Sequence, residues 1–221
     1  MDLSQFELIL YDIDGTLVDT GGAGMAALSQ AAELHFGAPA PLLDLAGSTD
    51  LGILKNLLDH YERDSEALDV AVFFDLYHRL LEDNLQSGRY DGSVLPGVPE
   101  SLALCAGRSI ATGLLTGNTK RGAAIKMRHY ALQEHFPYGA YGDDHADRNL
   151  LGPVALSRAA SHHGRVFDPS TTLVIGDTPK DIACAHAMGA RCLAVATGSF
   201  TFDALQQRGA DWVVRSLHEC Y

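Results

Sequence analysis

The run Phe6-Glu7-Leu8-Ile9-Leu10-Tyr11-Asp12-Ile13-Asp14 is too short for a core helix and ends in acid before Gly15-Thr16. A short run, apolar on both faces and closed by polar loop residues, predicts a strand buried inside a parallel sheet. Runs of the same kind at Ser109–Leu115, Thr172–Ile175, Cys192–Ala196 and Trp212–Val214 alternate with segments of helical period at Arg121–Leu132, Pro153–His163, Asp181–Met188 and Phe202–Arg208. Strands alternating with helices mean βα units, and therefore an α/β fold with a doubly wound parallel sheet.

One stretch breaks the alternation. Ala23–Phe36, Asp50–His60 and Ser65–Gln86 place apolar residues three and four apart, as in Val72, Leu76 and Leu80, with no convincing strand between about 20 and 90. We expect a helical insertion over residues 20–90 and an α/β core made of 1–19 plus 91–221. Gly21-Gly22 at one end and the turn-rich segment Ser87–Gly97, with Gly88, Gly92, Pro96 and Gly97, at the other are candidate hinges.

Composition narrows the class. With 221 residues, 47% of them hydrophobic and 20% charged, the chain has ample material for a packed core. A formal net charge of -12 disfavours nucleic acid and anionic lipid as partners. No apolar stretch approaches the roughly 18–20 residues that cross a bilayer, and the start lacks the pattern of a secretory signal. Cys105, Cys184, Cys192 and Cys220 have no zinc-ligand spacing and are expected as free thiols, consistent with a cytoplasmic protein.

The chemistry is expected at the strand ends. Asp12 and Asp14, two apart, are expected to face one space, and crowded carboxylates need a metal, a shared proton or a cation; a solvated loop is the plain alternative. In Gly176-Asp177-Thr178-Pro179-Lys180-Asp181, Thr178 can cap a helix beginning at Pro179, which brings Asp181 near Asp177; Asp181 could equally serve only the helix-terminal amides. Two acid pairs form a hard oxygen environment suited to Mg²⁺. Between them Thr116-Gly117-Asn118-Thr119 ends a strand at a helix start, which is either a phosphate cradle or a capped turn.

Taken in order, these motifs resemble those of the haloacid dehalogenase-like hydrolase superfamily, phosphatase branch. Asp12-Ile13-Asp14-Gly15-Thr16-Leu17-Val18-Asp19-Thr20 is similar to its first motif, Thr116 to its second and Gly176–Asp181 to its fourth, and the helical insertion lies where the family carries its cap. The resemblance implies a Rossmann-like core and a Mg²⁺-dependent phosphatase of small phosphorylated metabolites. Asp12 would be the nucleophile and Asp14 the acid/base, with Mg²⁺ held by Asp12, the Asp14 carbonyl and Asp177, and supported through water by Asp181. Phosphate would meet Gly15, Thr116, Gly117, Asn118 and a cation.

That cation is where the sequence departs from the family, whose third motif usually supplies a lysine. The segment Gly142–Pro153 has none, so Arg148 is the preferred substitute and Lys120 the alternative; Arg148 could instead pair with Asp144 or Asp147 on a solvated loop. Asp143, Asp144, His145 and Asp147 are expected as loop residues rather than a second metal site. His162-His163 carries no ligand spacing, and Phe73-Phe74-Tyr77 is expected as cap core. In Leu45–Asp50, Ser48 and Thr49 could read substrate oxygens or cap the next helix, and the absence of arginine there leaves a phosphoglycolate-like carboxylate without an evident partner. The competing functions are a sugar-phosphate mutase of the same superfamily and, more distantly, a receiver-like signalling module, which would lack the insertion.

Overall fold

The computed structural model describes residues 2–42, 45–63 and 67–220. Its strands are β1 (Leu8–Tyr11), β2 (Val18–Asp19), β3 (Ser93–Val94), β4 (Ala111–Leu115), β5 (Gly139–Ala140), β6 (Thr172–Gly176), β7 (Arg191–Val195) and β8 (Trp212–Val214). Its helices are α1 (Ala23–Phe36), α2 (Asp50–His60), α3 (Ala67–Gln86), α4 (Val98–Arg108), α5 (Lys120–His129), α6 (Leu151–His163), α7 (Pro179–Ala187) and α8 (Phe202–Gln207). Six strands form one parallel sheet in the order β5-β4-β1-β6-β7-β8. The start expected for α3 at Ser65 lies outside the described residues.

Alternation along each strand sorts the core into two layers. Ile9, Tyr11, Leu173, Ile175, Leu193 and Val195 pack on one face, against Val98, Leu102 and Cys105 of α4 and Ala123 and Met127 of α5. Leu8, Leu10, Val174, Cys192 and Ala194 pack on the other, against α6, α7 and Leu205 of α8. Every residue of β1 is buried, so Leu10→Ala is expected to cost roughly 2–5 kcal/mol. The Tyr11 hydroxyl is satisfied 2.7 Å from Ser101 Oγ.

Helix α4 is absent from the expectation drawn from sequence. Its apolar stripe of Val98, Leu102 and Cys105 begins directly at Gly97, so the turn-rich joint obscures its start. β2 and β3 are also new: Val18 pairs with Val94 and Asp19 with Ser93, antiparallel, a ribbon of two residues per strand where the insertion leaves and rejoins the core. The insertion has its own apolar cluster, in which α1, α2 and α3 bury Leu28, Leu54, Leu57, Phe73, Tyr77 and Leu81 and add Ile125 from α5. Helix α5 is therefore shared, with Ala123 and Met127 toward the sheet and Ile125 toward the insertion.

Candidate active site

Threonines start three of the helices around the site. Thr49 Oγ1 accepts from Gly52 N–H at the start of α2, Thr119 Oγ1 from Gly122 N–H at the start of α5, and Thr178 forms a reciprocal capping box with Asp181 at the start of α7. β1 lies between β4 and β6, so these starts converge on its carboxyl end, where open α/β sheets bind ligands. A cavity of about 460 Å³ opens there beneath the insertion.

Asp12 follows β1 with its amide still bonded to Ile175 O at 2.9 Å, which fixes its position against β6. Its carboxylate is buried 3.2 Å from Arg148 Nη2. Carboxylate oxygens of Asp12, Asp177 and Asp181 lie within 4.8 Å of one another. Burial, offset by Arg148 and reinforced by Asp181 and Asp14, raises the Asp12 pKa to about 6. Burial, followed by Asp181 and Asp12, raises that of Asp177 to about 8. Three buried acids facing one guanidinium leave negative charge in excess. A hard divalent cation suits this donor set on that ground.

Small residues make the cluster possible. Gly15 has a φ of +76°, and a Cβ there would stand 2.5 Å from Asp177 Oδ2; a Cβ on Gly198 would stand 1.8 Å from the same oxygen. The Gly15 amide donates to Val18 O at 2.9 Å, and Gly15 lines the cavity. Thr16 Oγ1 donates to Asp177 Oδ1 at 3.4 Å.

Arg148 points inward. It bonds Asp181, Leu115 O at 3.3 Å and Gly47 O at 3.1 Å, while its buried Nε has no partner among the described residues. Burial opposes its charge, but Asp181 and Asp12 raise its pKa above the ordinary arginine value. Lys120 is exposed, and its amide donates to Asp143 Oδ1 at 2.9 Å. Asp144 pairs with Arg158 and His145 accepts from Asp147 N–H, so these four loop residues do not converge on a common point. Asp181 Oδ2 accepts from the Thr178 amide at 3.0 Å and hydroxyl at 2.6 Å, and its Oδ1 from Arg148.

Asp14 faces another compartment of the same cavity. Lys126 Nζ donates to its Oδ1 at 2.7 Å and Oδ2 at 2.6 Å, and to Asn118 Oδ1 at 2.6 Å. Asn118 Nδ2 returns to Asp14 Oδ2 at 2.8 Å and reaches Thr116 Oγ1 at 2.9 Å. From the insertion, Asp50 accepts the Thr119 N–H at 2.7 Å, and burial raises its pKa to about 6. Tyr77 also lines the cavity, in addition to its place in the apolar cluster of the insertion.

The loop before α2 fastens the insertion to the core. Asp50 N–H donates to Gly117 O at 2.7 Å, Thr49 Oγ1 to Ala146 O at 2.7 Å and Lys180 Nζ to Ser48 Oγ at 2.7 Å. Thr49 is buried beneath this loop, where its hydroxyl caps α2 and bonds Ala146 O, whereas Ser48 lines the cavity. A Cβ on Gly117 would stand 1.9 Å from Ser48 O, which is why this position tolerates no side chain under the loop.

Lys126, Asp50 and the Thr197-Gly198-Ser199 loop were not singled out as site residues from sequence, and Tyr77 was expected only as cap core. Asp50 carried the one available signal, an acid in the first turn of a threonine-capped helix. Lys126 carried none, because a lysine within a helix reads as a solvated face.

Residues 9–195 match the family model described as Haloacid dehalogenase-like hydrolase. A curated phosphoglycolate phosphatase of Chromobacterium violaceum is 27% identical over 100% of this chain and 97% of its own. Among solved structures, CbbY of Rhodobacter sphaeroides in complex with phosphate superposes with a TM-score of 0.76 at 20% identity, covering 97% of this chain and 96% of that one. A predicted phosphoglycolate phosphatase of Haemophilus somnus gives 0.71 at 18% identity with the same coverage.

Proposed function

We propose that this chain, which belongs to the haloacid dehalogenase-like hydrolase family, is a Mg²⁺-dependent phosphomonoesterase of a small phosphorylated metabolite, working through an aspartyl phosphate on Asp12. The observation that carries the proposal is a buried carboxylate at the end of the central strand, held by Arg148 beside two further acids, in a cavity of metabolite size. The phosphoglycolate phosphatase of Chromobacterium violaceum supports the same reaction class.

Asp12, the Asp14 carbonyl and Asp177 would hold the ion, with Asp181 contributing through water. Bound there, Mg²⁺ neutralises carboxylate and phosphate charge, so that an anionic nucleophile and an anionic electrophile can approach. Asp12 then attacks phosphorus as the bond to the leaving oxygen breaks, and Asp14 gives that oxygen its proton. In the second step Asp14 takes a proton from water, the water oxygen bonds phosphorus, and the bond to Asp12 breaks to free phosphate. Thr116, Gly117 and Asn118 line the phosphate position with Arg148, and residues 20–90 act as a cap that limits bulk water. The reaction is cytoplasmic, and neither nucleic acid nor membrane takes part.

The test is phosphate release from a panel of phosphomonoesters with and without Mg²⁺, comparing the native chain with Asp12→Asn. We expect metal-dependent turnover that falls at least about a thousandfold in the variant. Turnover that survives Asp12→Asn, or conversion of a sugar phosphate without phosphate release, would reject the assignment.

A further inference from the structure

Lys126 carries no signal in the sequence, yet its ammonium donates to both Asp14 oxygens and to Asn118 in the cavity. Its side chain is 3% exposed, against 44% for Asp14, and it grips both oxygens of that carboxylate. It reaches this place because α5 is held on two sides, by the sheet through Ala123 and Met127 and by the insertion through Ile125, which turns the residue between into the cavity. Taking an ammonium out of water costs several kcal/mol unless it is paired and hydrogen-bonded, so this position is more demanding than a surface lysine.

Lys126, Asp14 and Asn118 bond one another in a closed ring, and Asn118 ties the ring to Thr116 in the phosphate cradle. A half-exposed aspartate on its own rotates among rotamers, whereas the ring sets its carboxylate at a constant place relative to Thr116. Helix α1 closes the same spot from the insertion, since a Cβ on Gly24 would stand 3.4 Å from Lys126 Nζ.

We propose that Lys126 is a positioning residue for the acid/base: it orients the Asp14 carboxylate toward the leaving oxygen and the hydrolytic water, and it makes no contact with phosphate. The inference rests on the phosphomonoesterase assignment above. It separates the two chemical steps. An alkyl ester needs Asp14 both to protonate its leaving oxygen and to activate water; an aryl ester such as 4-nitrophenyl phosphate leaves without that proton and needs Asp14 only for the second step.

The experiment is rapid-mixing kinetics of native and Lys126→Met protein with Mg²⁺, on 4-nitrophenyl phosphate and on an alkyl phosphate that the native chain hydrolyses. We expect Lys126→Met to keep the initial burst of nitrophenolate, one equivalent per site, within about threefold in rate, while steady-state turnover and the alkyl ester kcat fall about thirtyfold and KM moves less than threefold. Equal losses in burst and alkyl turnover would make Lys126 a merely structural charge. A rise in KM alone would make it a substrate contact, and unchanged kinetics would remove it from the site; each result overturns the proposal. Should Lys126→Met fail to fold, Lys126→Arg is measured in the same way, with a preserved burst and a roughly tenfold alkyl deficit expected. Asp12→Asn serves as the control, because a burst that persists in that variant defeats the phosphomonoesterase assignment itself.

Discussion

The two compartments of the cavity each join aspartates to a buried cation, but in different proportions. At the sheet end, Asp12 and Asp181 pair with Arg148 beside Asp177, and the pKa values of Asp12 and Asp177 are raised. At the helical end, Asp14 and Asp50 share the neighbourhood of Lys126, and Asn118 and the Thr119 amide satisfy further lone pairs. The first compartment has an excess of negative charge and room for a cation; the second has its polar groups joined to one another. Electrostatic need and orientation are thus handled in separate places a few side chains apart.

The contrast can be broken from either side. Arg148→Leu removes the cation from the crowded compartment and leaves buried carboxylates unpaired, so we expect a loss of roughly 3–5 kcal/mol in urea unfolding of the metal-free protein and at least about a hundredfold in turnover. Unchanged stability would show that Arg148 does not hold the acids together. Gly117→Ala acts at the seam, where its Cβ meets Ser48 O, and should lower kcat/KM about thirtyfold, roughly 2 kcal/mol, by lifting the loop from the core. Native kcat/KM in that variant would mean that the loop does not seat on Gly117 during turnover.

Asp50 sharpens the picture of the helical compartment. Its folded pKa of about 6 lies above the ordinary aspartate value of 3.8, so the folded chain binds the extra proton between those limits. Its contribution to stability is therefore complete below about pH 4 and is lost as pH rises through 6. Asp50→Asn, which keeps an acceptor for the Thr119 amide, should flatten that part of the stability-pH curve and raise stability at pH 7 by roughly 1–2 kcal/mol. A native slope in the variant would assign the titration elsewhere. The smallest effect belongs to Thr49→Ala, expected to cost about 1 kcal/mol in thermal unfolding for the lost cap and the bond to Ala146, with KM raised a fewfold. A change in kcat without one in KM would count against a fastening role.

Much of the sheet was legible because buried parallel strands announce themselves as short apolar runs, and the acids at their ends are local in sequence. The strand at Trp212–Val214 and the helices Ala23–Phe36 and Asp50–His60 coincide with the segments expected from patterning. Helix α4 was hidden by the glycine and proline before it, and β5, only Gly139–Ala140, is too short to carry a pattern. In the site, Asp12 and Asp177 could be read from strand ends and Arg148 from a missing lysine. Lys126 could not, because its inward direction depends on two packing partners far apart in sequence.

β2 and β3 form the ribbon that carries the helical insertion. The helical insertion leaves and returns through strands about 4.8 Å apart, as in any paired ribbon, and it contains an apolar cluster of its own. The join is therefore a graft point. A helical module exchanged for the insertion has to match that spacing and also renew the packing on Ile125 and the bonds to Gly117, Ala146 and Lys180, because those contacts hold α5 and the floor of the cavity in place.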